Sequence, residues 1–222
     1  MKKIFVTICA VLVLVSLIIL PFLIRVRVDC KSQYGDCPRE VLDRLGSFNG
    51  KSLFFVKNGV RKVLKSEFMI SDFSLQFKLP NIVQTELLVK KPIFALKDDK
   101  SGNIALVDKD GQVLSEASGT VLPTVGVSGG LPKEGQDVGV TNLFALNIAS
   151  GVNQMYQVGN SRIINGTLLV ELPGQIRVIF PLEGDTQILL GSLRLVYLKI
   201  QEDNNPGGYS EIDLRFKNPV LR

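Results

Sequence analysis

The chain contains no histidine and no tryptophan, and only three cysteines among its 222 residues. Without histidine there is no Ser-His-Asp or Cys-His pair and no His-bearing zinc centre. Three thiols, one of them Cys9 inside an apolar run, leave at most two for a metal. No Walker-type GK[ST] loop and no dinucleotide-type glycine fingerprint occurs. One catalytic pattern does match: residues 126–130 read Gly-Val-Ser-Gly-Gly, the G-x-S-x-G of a nucleophile elbow. With no histidine to take the Ser128 proton, and with Pro123 and Pro132 on either side, the segment reads as a loop. Asp108-Lys109-Asp110-Gly111 lacks the later ligands of a calcium loop and reads as a turn. The residues argue against an enzyme and imply no cofactor and no metal.

Acid is also missing from one place. From Met1 to Arg27 there are four cations, Lys2, Lys3, Arg25 and Arg27, and no carboxylate. These four account for most of the formal net charge of +5. The basic pI of about 9.1 is therefore a local feature, without the basic, aromatic-interleaved patch of a nucleic-acid binder. Between these cations, residues 4–24 are uncharged and interrupted only by Thr7, Ser16 and Pro21. As a helix rising about 1.5 Å per residue the run would span roughly 31 Å, close to a bilayer core. No A-x-A cleavage pattern ends it, which favours a retained transmembrane helix over a removed signal peptide. Lys2 and Lys3 are nearly balanced by Arg25 and Arg27 across the run, so the free amino terminus and the lack of a domain before it point to an N-terminus in the cytoplasm and the bulk of the chain outside. There Cys30 and Cys37 would either pair in an oxidising compartment or remain as two thiols.

Beyond the run, the patterning predicts an α+β protein. Residues 25–30 alternate as a strand, and Pro38 and Gly46 bracket a helix. A second helix is expected from Asn58, with Val60, Val63, Leu64 and Phe68 on one face. Phe73, Leu75, Phe77 and Leu79 recur at period two, and residues 82–88 form another strand. The result is a β-α-α-β-β unit. After Pro92, Asp/Gly turns at 98–103 and 108–111 predict two hairpins, and the glycine-rich stretch 118–140 an irregular connection. A helix is expected at 141–157, strands at 167–172, 176–181 and 186–190, a helix at 193–201 and a last strand at 209–217.

The most specific string is Ile212-Asp213-Leu214-Arg215-Phe216-Lys217-Asn218-Pro219-Val220-Leu221-Arg222. It resembles the IDLRY-x-NPVVR signature of the FtsQ/DivIB family of bacterial cell-division proteins. Leu79-Pro80-Asn81, Lys90-Lys91-Pro92, Asp110 to Leu114, Leu122 to Val125 and Ile179 to Gly191 resemble that family's internal motifs, in the same order. Val89-Lys90 stands where Glu-Arg is usual, and Phe94 where a small residue is usual. The resemblance implies three regions: a stub and transmembrane helix (1–25), a POTRA-like β-α-α-β-β domain (26–96), and a mainly antiparallel β domain with one or two helices (97–222). It implies a non-enzymatic single-pass scaffold of the plasma membrane at the division septum. Its partners would be FtsB/DivIC-like and FtsL-like proteins, and it would help regulate septal peptidoglycan synthesis. Phe216 matches an aromatic on the family's partner-binding strand. The alternating last strand adds Tyr209, Glu211, Asp213, Arg215 and Lys217 as candidate contacts, through strand addition at a sheet edge. A POTRA-containing transport or secretion component is the competing reading, and an anchored cell-wall enzyme a more distant one.

Overall fold

The computed structural model describes residues 20–202 and 208–222. The protein is α+β, richer in sheet than in helix, and divides into two compact units at Lys90/Lys91. The expected boundary at 96/97 therefore lies too late. Phe94 to Asp98 is already a strand of the second unit.

The expected N-terminal transmembrane helix is corrected. Among the described residues, no helix is long and apolar enough to cross a membrane. Most of the run 4–24 lies outside the described residues. Of the rest, only residues 20–23 are helical. The helix stops there because the chain is drawn into the first unit: Ile24 packs against its core, Arg25 bridges to Ser52, and Val26 is buried.

The first unit has the expected β-α-α-β-β order with one short strand added. Strand β1 (Arg27–Ser32) turns back through β2 (Gly35–Asp36), followed by α1 (Arg39–Gly46), α2 (Leu53–Ser66), β3 (Ile70–Lys78) and β4 (Ile82–Val89). The sheet order is β2-β1-β4-β3. The parallel pairing of β1 with β4 is made possible by the two helices between them. Val41 and Leu45 of α1, and Val56, Val60 and Leu64 of α2, recur at helical spacing and are buried against Val83 and Leu87. Helix α2 begins five residues before the expected Asn58, with Ser52 as N-cap. Cys30 and Cys37 are buried beside α1 and joined by a disulfide.

The second unit is a nine-stranded mixed sheet, mainly antiparallel as expected, with three of its eight strand pairs parallel. Its strands are β5 (Phe94–Asp98), β6 (Ile104–Val107), β7 (Val113–Ala117), β8 (Thr124–Val127), β9 (Asn160–Ile164), β10 (Thr167–Leu172), β11 (Ile176–Phe180), β12 (Glu211–Asp213) and β13 (Val220–Leu221). They lie in the order β13-β12-β11-β10-β9-β8-β5-β6-β7. Helix α3 (Val140–Tyr156) connects the parallel pair β8–β9, and α4 (Thr186–Glu202) the parallel pair β11–β12. Both crossovers step the same way along the sheet. Right-handed connections then put both helices on one face. Accordingly Leu146, Ile148 and Val152 of α3 and Leu193, Tyr197 and Ile200 of α4 share a core with Leu168, Val170, Val178 and Phe180. The helices approach closely at Gly151, where a Cβ would overlap the Leu190 side chain.

Three expectations for this unit give way. Residues 186–190, read as a strand, open α4, because the Asp185 carboxylate accepts hydrogen bonds from the Gln187 and Ile188 N–H groups at 2.8 and 3.2 Å. The stretch 118–140 contains β8, a fully buried strand held between β5 and β9. The last strand, expected through Lys217, stops at Asp213.

Candidate functional site

The candidate contacts lie on or beside the outermost two strands of the nine-stranded sheet. Strand β12 is not itself the edge. It runs parallel to β11 on one side and antiparallel to β13 on the other. The string Ile212 to Arg222 therefore builds a strand, a turn and a second strand, where one continuous strand was expected.

The break has a local cause. Asp213 is completely buried, and its Oδ1 accepts the backbone N–H of Arg215 at 3.1 Å. That bond turns the chain out of the ladder. The Arg215 guanidinium then closes on the same carboxylate, Nε to Oδ1 at 2.9 Å and Nη2 to Oδ2 at 2.6 Å. This bidentate pair holds the Asp213 carboxyl below the usual range; burial opposes the shift and is outweighed. Arg215 is held above its usual value, chiefly by the same pair. Asp213 is thus part of the buried framework and cannot act as an exposed contact. Ile212 and Leu214 flank it in the core.

The other candidates separate into two groups. Tyr209 is partly buried and packs against the core. Glu211 pairs its backbone with Arg222, and its carboxylate takes the Arg222 guanidinium at 3.2 Å and that of Arg177 at 3.9 Å. Phe216 and Lys217 project from the turn, and Phe216 is 55% exposed. The Arg215 guanidinium lies 5.9 Å from the centre of the Phe216 ring, orienting the aromatic by a cation–π contact. Behind the turn is a hollow of about 310 Å³, walled by Ile188, Leu189, Ser192, Leu214, Phe216 and Pro219. Ile188, which the sequence reading placed in a strand, is 67% exposed on α4 and enlarges this apolar surface.

Strand β13 supplies the free edge. Because Glu211 and Arg222 exchange N–H···O=C bonds in both directions, the alternation of an antiparallel ladder turns the N–H and C=O of Leu221 away from β12. Pro219 has no N–H to offer, so the edge is short.

The other singled-out motifs have structural roles. Ser128 is exposed in a bend just past β8, well before α3 begins. Asp108 accepts the N–H groups of Asp110 and Gln112 at 2.9 and 2.8 Å and shapes the β6–β7 turn. Asp98 does the same in the β5–β6 turn, bonding the Ser101 hydroxyl at 2.7 Å and the N–H groups of Lys100 and Ser101. The Ser101 hydroxyl contributes most to holding its carboxyl below the usual range. Among the described residues, no group of acidic or thiol side chains could hold a metal ion.

Asp98 and Asp213 share a consequence for acid stability. Each binds its proton less readily in the folded chain than unfolded, so the unfolded chain takes up protons first as pH falls. Their stabilisation is complete above about pH 4 and is lost as pH falls through the lower folded values. The unfolding free energy of the second unit is expected to be flat near neutrality and to fall steeply below about pH 4. Arg215→Ala should weaken the unit throughout the flat region, by about 1–3 kcal/mol for the stranded acceptor. Urea titrations at a series of pH values check both.

No protein-family model matches the chain, and no curated protein matches it either.

Proposed function

We propose that this chain is a non-enzymatic scaffold of bacterial cell division, of the FtsQ/DivIB kind, acting outside the cytoplasm at the plasma membrane of the septum. It binds FtsB/DivIC-like and FtsL-like proteins and through them influences septal peptidoglycan synthesis. The observation that carries the reading is the build of its terminal string, which forms the outermost two strands of the second sheet and leaves Phe216 exposed between them. A partner strand laid along β13 would meet the outward N–H and C=O of Leu221, and one of its apolar side chains would enter the hollow beside Phe216. The Cys30–Cys37 disulfide accords with an oxidising compartment.

The test is co-purification of the full chain with the FtsB/DivIC-like and FtsL-like proteins of the same cell. Phe216→Ala is expected to weaken binding by about 30-fold or more, as for an aromatic hot spot. Its stability should change by less than about 0.5 kcal/mol, because the ring is half exposed. Leu221→Pro, which removes the outward N–H, should weaken binding as well. A wild-type chain that folds and captures neither protein would overturn the proposal.

A further inference from the structure

The first unit carries a second surface, on the face of α2 turned away from its core. Val56, Val60 and Leu64 point inward. At 100° per residue, Phe54, Phe55, Asn58, Arg61, Lys62 and Lys65 therefore point outward, and all six are exposed. The helix sequence, LFFVKNGVRKVLKS, contains four cations and no acid. Glu67, just beyond it, is taken up by Arg44. Among the described residues, Lys57, Arg61, Lys62 and Lys65 enter no ion pair.

The apolar part is concentrated at the helix N-terminal end. Phe22 stacks on Phe54 at 4.6 Å, and Phe54 meets Phe55 edge-on at 5.9 Å. Three aromatic rings are held together here in solvent, Phe55 being 64% exposed, and Leu20 and Leu23, on either side of Phe22 in sequence, are 52% and 70% exposed. Beside Phe55 opens a hollow of about 560 Å³, with Phe48 in its wall and Lys51 and Lys62 at its margin. Packed aromatics of this size left in water mark a contact surface.

We infer that this face of the first unit docks on an anionic lipid surface, with Phe22, Phe54 and Phe55 entering the headgroup boundary and Lys51, Arg61, Lys62 and Lys65 lying over the lipid phosphates. Two observations favour lipid over an acidic protein. Aromatic wedge and unpaired cations occupy adjoining parts of one amphipathic helix, the arrangement of an interfacial helix. The uncharged sequence 4–19 also enters the described chain at Leu20, directly beside the wedge. This docking is independent of the division reading, and of what the second unit binds.

A nitroxide at Asn58→Cys, in a Cys9→Ser background, reads the surface in the full chain reconstituted into vesicles. Gln76→Cys, exposed on β3, serves as the reference. With about 30% phosphatidylglycerol in phosphatidylcholine, the Asn58 label should lose collisions with a water-soluble nickel chelate at least about three-fold relative to pure phosphatidylcholine. About 1 M salt should restore them, since the Debye length falls to about 3 Å. Changing Arg61, Lys62 and Lys65 to Gln should also restore them; each cation contributes roughly five-fold in surface affinity. These side chains are exposed, and an intact Cys30–Cys37 disulfide with unchanged circular dichroism verifies the fold. A label equally open to the chelate in both vesicles would overturn the inference. So would one already protected without anionic lipid, or one protected only after another protein is added.

Discussion

Ile212→Ala lowers the unfolding free energy of the second unit by about 2–5 kcal/mol, the range for removing a buried branched side chain and leaving a cavity. Ile212 is fully buried in β12, opposite Val178 of β11 and Leu221 of β13. It therefore couples the outermost strands to the core of the sheet. Against a typical total of about 5–15 kcal/mol, the loss is a large share of the unit's stability. Hydrogen exchange at the amides of β10 and β11 measures it for this unit alone, which matters in a chain of two units. The contrast with Phe216→Ala separates two roles within one short string. The first substitution costs stability and, through fraying of the edge, binding; the second costs binding and leaves exchange unchanged. Deleting residues 209–222 would remove Ile212 and Leu214 together with the edge, so loss of binding in that variant would say nothing specific about the surface. Unchanged protection of β10 and β11 in Ile212→Ala would contradict this account.

Replacing both Cys30 and Cys37 by Ser should destabilise the first unit by about 2.4 kcal/mol, the chain-entropy value for so short a loop. That corresponds to roughly a 60-fold rise in the unfolded fraction. The two sulfurs are buried between β1 and α1 with Val41 and Leu45, so the substitutions also place two hydroxyls in an apolar setting and add to the loss. The amides of Val83 and Leu87 report the effect by exchange, and those of Phe180 and Val178 in the second unit should not respond. A reducing agent applied to the unaltered chain should reproduce the loss without the hydroxyl contribution. If both treatments leave Val83 and Leu87 as protected as before, the disulfide contributes nothing to this unit's stability.

The first unit was legible because its signals are local. Period-two alternation from Phe73 and helical spacing through Val60 and Leu64 each point to one face and one core. The misread parts of the second unit depend on neighbours distant in sequence. Strand β8 is covered on both faces and paired in parallel on both sides, so it shows no alternation, and Gly126 disguises it as loop. A Cβ at that glycine would press on the Asp99 carboxylate, which explains a glycine inside a buried strand. The start of α4 does carry a local signal, Asp185 as an N-cap before a helix-tolerant run, masked by the strand-like Ile188, Leu189 and Leu190. The candidate site was half legible. Phe216 could be identified from the terminal string, but the burial of Asp213 could not. Alternation placed Asp213 on the charged outer face, and it is the Arg215 fork, with the Arg215 N–H, that makes a buried carboxylate tolerable there. The hollow beside Phe216 joins residues of α4 to the turn and is encoded nowhere in the string itself.

The crossover through α4 also imposes an order in time. Hairpins such as β5–β6 and β10–β11 close over a few residues and can form early. Strand β12 can pair with β11 only after the whole of α4 has been laid across the sheet, because the two run parallel. Contacts between such distant residues carry a larger loop-closure cost and form late. The edge at β13 rests on β12, so it is among the last features of this unit to appear during folding. Any ligand strand that needs this edge would bind at a rate limited by the completion of the fold, and refolding followed by binding should show a lag that protection of the β10–β11 amides, followed by pulsed hydrogen exchange, does not.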